Sequence, residues 1–305
     1  MSILLYTLGK FVQSKHFINN ILLFELREYT IMKNENVSVS TQPRFKQFII
    51  RALKSLSLYP SVKRVKDGLF TILRERLSFN QDMLKLYTSF VKEGDLCFDV
   101  GAALGNRTNI FLKLGARKVV AVEPLPYHIK KLVKRYSGNH RVSIEKMGLG
   151  DKKTQADFFI SPSATFLSTF DKDMVKDVKS NPQMKNVEWK GVEKVNIDTL
   201  DNLIKKYGAP DFVKIDVEGF EPLVFKGLSC PIKKLSFEYQ PRFMNRAIFC
   251  IKRLNRLGKY KFNYSIRESM RLSSDKWLSS KEMIALLKDI PESIYFGDVY
   301  AKLAD

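Results

Sequence analysis

The sequence predicts an α/β fold built on an open, mostly parallel sheet with helices on both faces. Three observations predict it. From Asp95 onward, short apolar runs alternate with segments of helical spacing. Two acidic motifs, Asp99 to Gly105 (DVGAALG) and Lys214 to Gly219 (KIDVEG), each follow a buried-strand pattern. Both therefore fall at the strand ends where open α/β sheets place ligands.

The chain has 305 residues, 45% of them hydrophobic, enough for one large domain with an extension. Cys97, Cys230 and Cys250 form no CxxC pair, which argues against a disulfide framework or a zinc site. His16, His128 and His140 lack metal-ligand spacing. The formal charge of +20 favours anionic partners, whether nucleic acid, a phospholipid surface or acidic substrates. Its excess is concentrated in residues 1–90, with 14 Lys/Arg against 6 Asp/Glu, and in 233–276, with 12 against 3.

Residues 3–24 are apolar but interrupted by Lys10, Lys15 and His16, so they supply neither a clean membrane span nor a secretory leader. A cytoplasmic protein is the expectation, with peripheral membrane contact through an amphipathic helix as an alternative. Met32 is an alternative start. Lys33 to Pro43 reads as a linker. Arg44 to Tyr59 has helical spacing ended by Pro60, and Val65 to Phe90 reads as one or two further helices.

Leu96 to Val100 is the first strand, followed by a glycine turn and a helix from Asn106 to Leu114 that Gly115 stops. Lys118 to Val122 is a strand, Tyr127 to Tyr136 a helix, and Val142 to Lys146 a strand that leads into a turn at 148–151. This alternation implies parallel pairing through right-handed crossovers. Asp157 to Ser161 and Val192 to Ile197 read as strands around a polar, loop-like stretch, 163–190, that is a candidate substrate selector. Asp198 to Tyr207 is a helix, Phe212 to Ile215 a strand, and Gly219 to Lys226 a short helix. Leu235 to Phe237 is a strand, Arg246 to Leu257 a basic helix, and Tyr260 to Ile266 and Ser293 to Lys302 the last two strands.

Gly101 and Gly105 leave the turn after the first strand without side chains, so a ligand can approach the backbone beside a helix N-terminus. Glu123, at the next strand end, can accept hydrogen bonds from both hydroxyls of a ribose. The pattern is D-x-G-x-x-x-G rather than the G-x-G-x-x-G of dinucleotide folds. The acidic Asp99 suits a ligand with a cationic end, such as S-adenosylmethionine. Asp216 and Glu218 stand two apart at a strand end, spaced to face one pocket. Such a pair can take a proton from a hydroxyl, orient it, or hold a divalent metal. Two neighbouring acids permit magnesium without requiring it. Glu221 reads as a helix-capping acid.

Five pieces carry a family resemblance: FDVGA at 98–102 with Gly105, VEP at 122–124, NIDTLD at 196–201, KIDVEG at 214–219, and GDVY at 297–300. Their combination resembles the FkbM-type methyltransferases over residues 80–302. The resemblance implies S-adenosylmethionine, a Rossmann-like seven-stranded methyltransferase sheet in residues 80–305, and O-methylation of a sugar or natural product. Residues 1–79 are left as an N-terminal helical extension. Carried onto this chain, Asp99, Gly101 and Gly105 line the methionine end, Glu123 holds the ribose, and Gly148 to Asp151 border the adenine. Asp216 and Glu218 face the transferring methyl, with Asp216 as base. Ala103 stands where related turns often carry Asn or Gly, and Lys146 where Asn is expected.

The acceptor is read as a small molecule or glycan. The charge keeps RNA open, through a ribose 2′-hydroxyl; no N/D-P-P-Y/F run for base amino groups is present. A third reading is a non-catalytic module of the same fold that binds a membrane or partner.

Overall fold

The computed structural model describes residues 78–180, 187–189 and 191–304. The helices, linker and membrane-surface segment expected before residue 78 lie outside the described residues.

Residues 78–87 form helix α1. Strand β1 (Leu96–Val100) is buried on both faces, as a central parallel strand must be, which is why it reads as an apolar run interrupted only by Asp99. It leads into α2 (Asn106–Lys113), β2 (Lys118–Val122), α3 (Pro126–Tyr136) and β3 (Val142–Glu145). Next come β4 (Gly148–Gly150), β5 (Thr154–Ile160), α4 (Lys172–Ser180), β6 (Gly191–Thr199), α5 (Leu200–Tyr207), β7 (Phe212–Ile215), α6 (Glu221–Lys226) and β8 (Lys234–Tyr239). The chain continues with α7 (Met244–Leu257), β9 (Tyr260–Ile266), α8 (Ser280–Lys288) and β10 (Gly297–Leu303).

Seven strands make the main sheet, in the order β3-β2-β1-β7-β8-β10-β9. The first five are parallel, while β10 inserts antiparallel between β8 and β9. This is the expected Rossmann-like, mostly parallel α/β sheet. The order reverses between β1 and β7, so the topological switch point lies where the two acidic motifs end.

Successive strand residues face opposite sides. On one side Phe98, Val100, Val213, Ile215 and Phe237 pack with Leu203 of α5, Phe225 of α6, Ile251 of α7 and Leu287 of α8. On the other, Cys97, Val119, Ala121 and Phe212 pack with Tyr87 of α1, Phe111 of α2 and Leu132 of α3. Asp99 alternates with Phe98 and Val100, so it stands on the α2 side.

Several expectations need correction. The 148–151 turn contains strand β4, which pairs with β6 beside β5 in a separate three-stranded sheet. The loop-like 163–190 stretch holds helix α4, which buries Met174, Val175 and Val178 beneath a charged outer face. Helix α8 was not foreseen, although its capping box is written in the sequence: Ser279 accepts from the Glu282 N–H, and Glu282 accepts from the Ser279 N–H.

Candidate active site

The turn after β1 is closed by backbone bonds across the switch point. The N–H groups of Gly101 and Ala102 donate to the Val122 carbonyl, and the Asp216 N–H donates to the Val100 carbonyl. The ends of β1, β2 and β7 are thereby stitched together. Gly101 has φ +82°, and a Cβ there would sit 1.7 Å from the Asp216 carbonyl oxygen. The space its missing side chain leaves is filled by the β7 end rather than kept for a ligand. Gly105 (φ +77°) likewise makes room for Leu132 and Tyr136 of α3.

Glu123 is 4% exposed and spans this turn. Its Oε2 accepts from the Ala103 N–H at 2.7 Å and its Oε1 from the Leu125 N–H at 2.9 Å. His128 Nδ1 lies 3.4 Å from Oε1, and its Nε2 is 3.2 Å from Thr165 Oγ1. Ala103 is in the left-handed region, φ 47°, which accounts for the Asn or Gly expected at such a position.

A cavity of about 860 Å³ opens at these strand ends. It is walled by Gly101, Glu123, Gly148, Asp216 and Glu218 among the site residues expected from the sequence. Asp99, Gly105 and Asp151 do not line it. Asp99 is 1% exposed on the α2 side of the sheet, where Thr108 Oγ1 donates to its Oδ2 at 2.5 Å; it anchors α2. Burial raises the Asp99 proton affinity despite the Thr108 bond. Asp151 is exposed beyond the end of β4. Gly148 is bare because Phe170 and Ile197 crowd its α-carbon; a Cβ would meet the Phe170 ring at 2.6 Å. Phe170 packs on Phe158 and Phe220.

The KIDVEG segment leaves the strand at Ile215, so strict alternation does not place its two acids. Glu218 instead takes a left-handed conformation, φ 53°, followed by Gly219 at φ 93°. Thr169 Oγ1 fixes this turn by donating to the Glu218 carbonyl. A glutamate held with positive φ in a ligand cavity is the kind of local strain that accompanies function.

Lys214, the first residue of the KIDVEG motif, also belongs to the site. Its side chain is fully buried, with Nζ 2.8 Å from Asp298 Oδ1 and 3.3 Å from Asp216 Oδ2. Burial opposes its charge, but the two carboxylates outweigh that cost and keep it protonated. Arg107 approaches Asp216 at 3.9 Å and Glu268 at 3.7 Å, while its Nε is buried without a partner. Burial also works against ionised Asp216, yet Lys214 and Arg107 hold its carboxyl below the usual carboxylate range.

Glu238, at the end of β8, is a cavity residue that the motifs did not single out. Oxygens of Asp216, Glu218 and Glu238 all lie within 4.8 Å of one another, a set of ligand atoms that could hold a divalent ion. The Lys214 ammonium already supplies a cation against Asp216. Burial, and then the neighbouring carboxyl groups, push both Glu218 and Glu238 well above the ordinary glutamate range. The motif reading passed Glu238 over because it stands alone in sequence; its signal is an acid at the end of an apolar strand run.

The family model described as the methyltransferase FkbM domain matches residues 99–271. No curated protein matches the chain. Among solved structures it is similar to a precorrin-6y C5,15-methyltransferase from Geobacter metallireducens, at 9% identity and TM-score 0.39 over 74% of this chain and 87% of that one. It is also similar to an rRNA methylase from Streptococcus thermophilus, at 10% and 0.37 over 73% and 94%. A third is an O-methyltransferase from Bacillus cereus solved with S-adenosylhomocysteine, at 12% and 0.36 over 75% and 81%.

Proposed function

We propose that this chain, which belongs to the FkbM methyltransferase domain family and is an S-adenosylmethionine-dependent methyltransferase, methylates an uncharged hydroxyl of a sugar, glycan or related natural product. The observation that carries the reading is the charge of the cavity. In a chain of net charge +20, its walls present eight carboxyl side chains against three guanidinium groups. Such walls suit a cationic cofactor and a neutral polyol, and repel phosphate.

The residues present fit the cofactor. Glu123 keeps lone pairs free for ribose hydroxyls while the two amides hold it in place. Met147, Leu149 and Phe170 give an apolar wall for an adenine. The unpartnered Nε of Arg107 is a donor for a methionine carboxylate. When bound, S-adenosylmethionine supplies a methyl group on a cationic sulfur. Asp216, held ionised by Lys214, stabilises positive charge at that end of the cavity. Glu218 shares the acceptor side. Alignment and exclusion of water provide most of the acceleration, and a general base adds about 10²–10⁴-fold.

The test is transfer of labelled methyl from S-adenosylmethionine to extract fractions separated into glycans, lipids, RNA and small metabolites. Label in the glycan or small-metabolite fraction supports the reading. Label confined to RNA overturns it in favour of a ribose 2′-hydroxyl acceptor.

A further inference from the structure

We propose that the outer face of α3, together with the exposed turn at Leu104, docks the protein onto an anionic phospholipid surface. This face lies outside the acidic cluster of the cavity, and its role is the same whichever acceptor is methylated.

Helix α3 turns His128, Leu132 and Tyr136 inward at four-residue spacing. That leaves Tyr127, Lys130, Lys131 and Lys134 exposed along one outer stripe. Tyr127 is 54% exposed, and Val133 beside the stripe is 44% exposed. Lys131 Nζ lies 5.3 Å from the centre of the Tyr127 ring. Arg135, in the last turn, donates to the Leu104 carbonyl at 2.7 Å, and Leu104 is itself 44% exposed. Three of the five large apolar side chains exposed among the described residues thus gather on one helix face and the turn tied to it.

The charge of this region is one-sided. From Gly101 to Ile144 the chain carries nine Lys/Arg and a single acid. That acid is Glu123, which is buried and held by two amides. Among the described residues no carboxylate lies in ion-pair range of Lys130, Lys131 or Lys134. Lysines interleaved with exposed apolar side chains match the two layers of a bilayer surface, its anionic headgroups and the acyl boundary below them. An RNA backbone would satisfy the lysines but leave Leu104 and Val133 in water. Leu104 also lines the cavity, so a membrane seated on this face adjoins the cavity mouth.

Vesicle flotation of the full chain tests this, with vesicles of phosphatidylcholine alone or with about one third phosphatidylglycerol, at about 0.15 M salt. Wild type is expected to float with the anionic vesicles and to stay behind with the neutral ones. One lysine at an anionic leaflet is worth about fivefold in partitioning, so K130E/K131E/K134E should bind at least about tenfold more weakly. Tyr127→Ser changes no charge and should bind several-fold more weakly. K252E/R256E/K259E makes the same change in net charge at exposed positions in and just beyond α7, and should bind within a few-fold of wild type. All these side chains are exposed, so melting temperatures should stay near wild type, which separates lost docking from lost folding. Failure of wild type to float, or equal binding to both vesicle types, overturns the proposal. Undiminished binding by the α3 triple variant or by Tyr127→Ser does the same, as does a loss in the α7 triple variant equal to that in the α3 one. Binding of a single-stranded RNA through the same lysines, without binding to vesicles, overturns it in favour of a nucleic-acid surface.

Discussion

At Gly101 a single hydrogen atom decides whether the site can close. A Cβ there would stand 1.7 Å from the Asp216 carbonyl oxygen, at a φ that L side chains rarely adopt. Gly101→Ala must push β7 away from β1, so we expect a loss of about 2 kcal/mol or more in urea unfolding, together with weakened cofactor binding. Wild-type stability in that variant would contradict the close approach. Glu221 offers a second single-residue test. It is 4% exposed, and burial raises its carboxyl from 4.5 to about 7. The folded state therefore keeps a proton that the unfolded state releases, and stability is lost as pH rises from about 4.5 through 7. The loss is on the order of 3 kcal/mol. Between pH 5 and pH 8 the fall in stability read from unfolding curves should be smaller in Glu221→Gln than in wild type by about that amount, with the raised Glu218 and Glu238 carboxyls supplying the rest. The sequence marked Gly101 as special, yet its reason was hidden, because the atom that excludes a side chain lies 115 residues away along the chain.

Lys214 couples two elements: it leaves β7 and reaches Asp298 on β10. Lys214→Met keeps most of the volume but strands two carboxylates without their cation. Removing one partner of a buried pair costs about 3–5 kcal/mol, so a marked fall in melting temperature is expected. A melting temperature unchanged by the substitution would show that Asp216 and Asp298 do not need it. Strands β1, β2 and β7 and their helices were readable from the sequence, since buried parallel strands are short, mostly apolar runs. Helix α4 was not, because its buried stripe of Met174, Val175 and Val178 is thin beside its lysines and aspartates. Strand β4 was missed because two of its three residues are glycines. Glu123, Asp216 and Glu218 were readable as cavity acids from strand ends alone. Asp99 was misplaced by the same logic, because the direction of its side chain depends on which face of the sheet α2 covers.

At the scale of the whole chain, net charge and the charge of the site differ in sign. The chain is strongly basic, yet the cavity at the switch point is acidic. Net charge favoured anionic partners of several kinds without choosing between them, and it is the folded arrangement that shows the cavity walls to be rich in carboxyl groups. No described helix is long and apolar enough to cross a membrane.

The central claim is that Glu123, pinned by the amides of Ala103 and Leu125, grips the cofactor ribose. The most direct test is equilibrium dialysis of labelled S-adenosylmethionine against wild type and Glu123→Gln. A glutamine can accept from only one of those amides and gives up charge-assisted bonds of about 1.5–3 kcal/mol each. Affinity should therefore fall at least about tenfold. Equal affinity in the two proteins, or no binding by the wild type, would contradict the account.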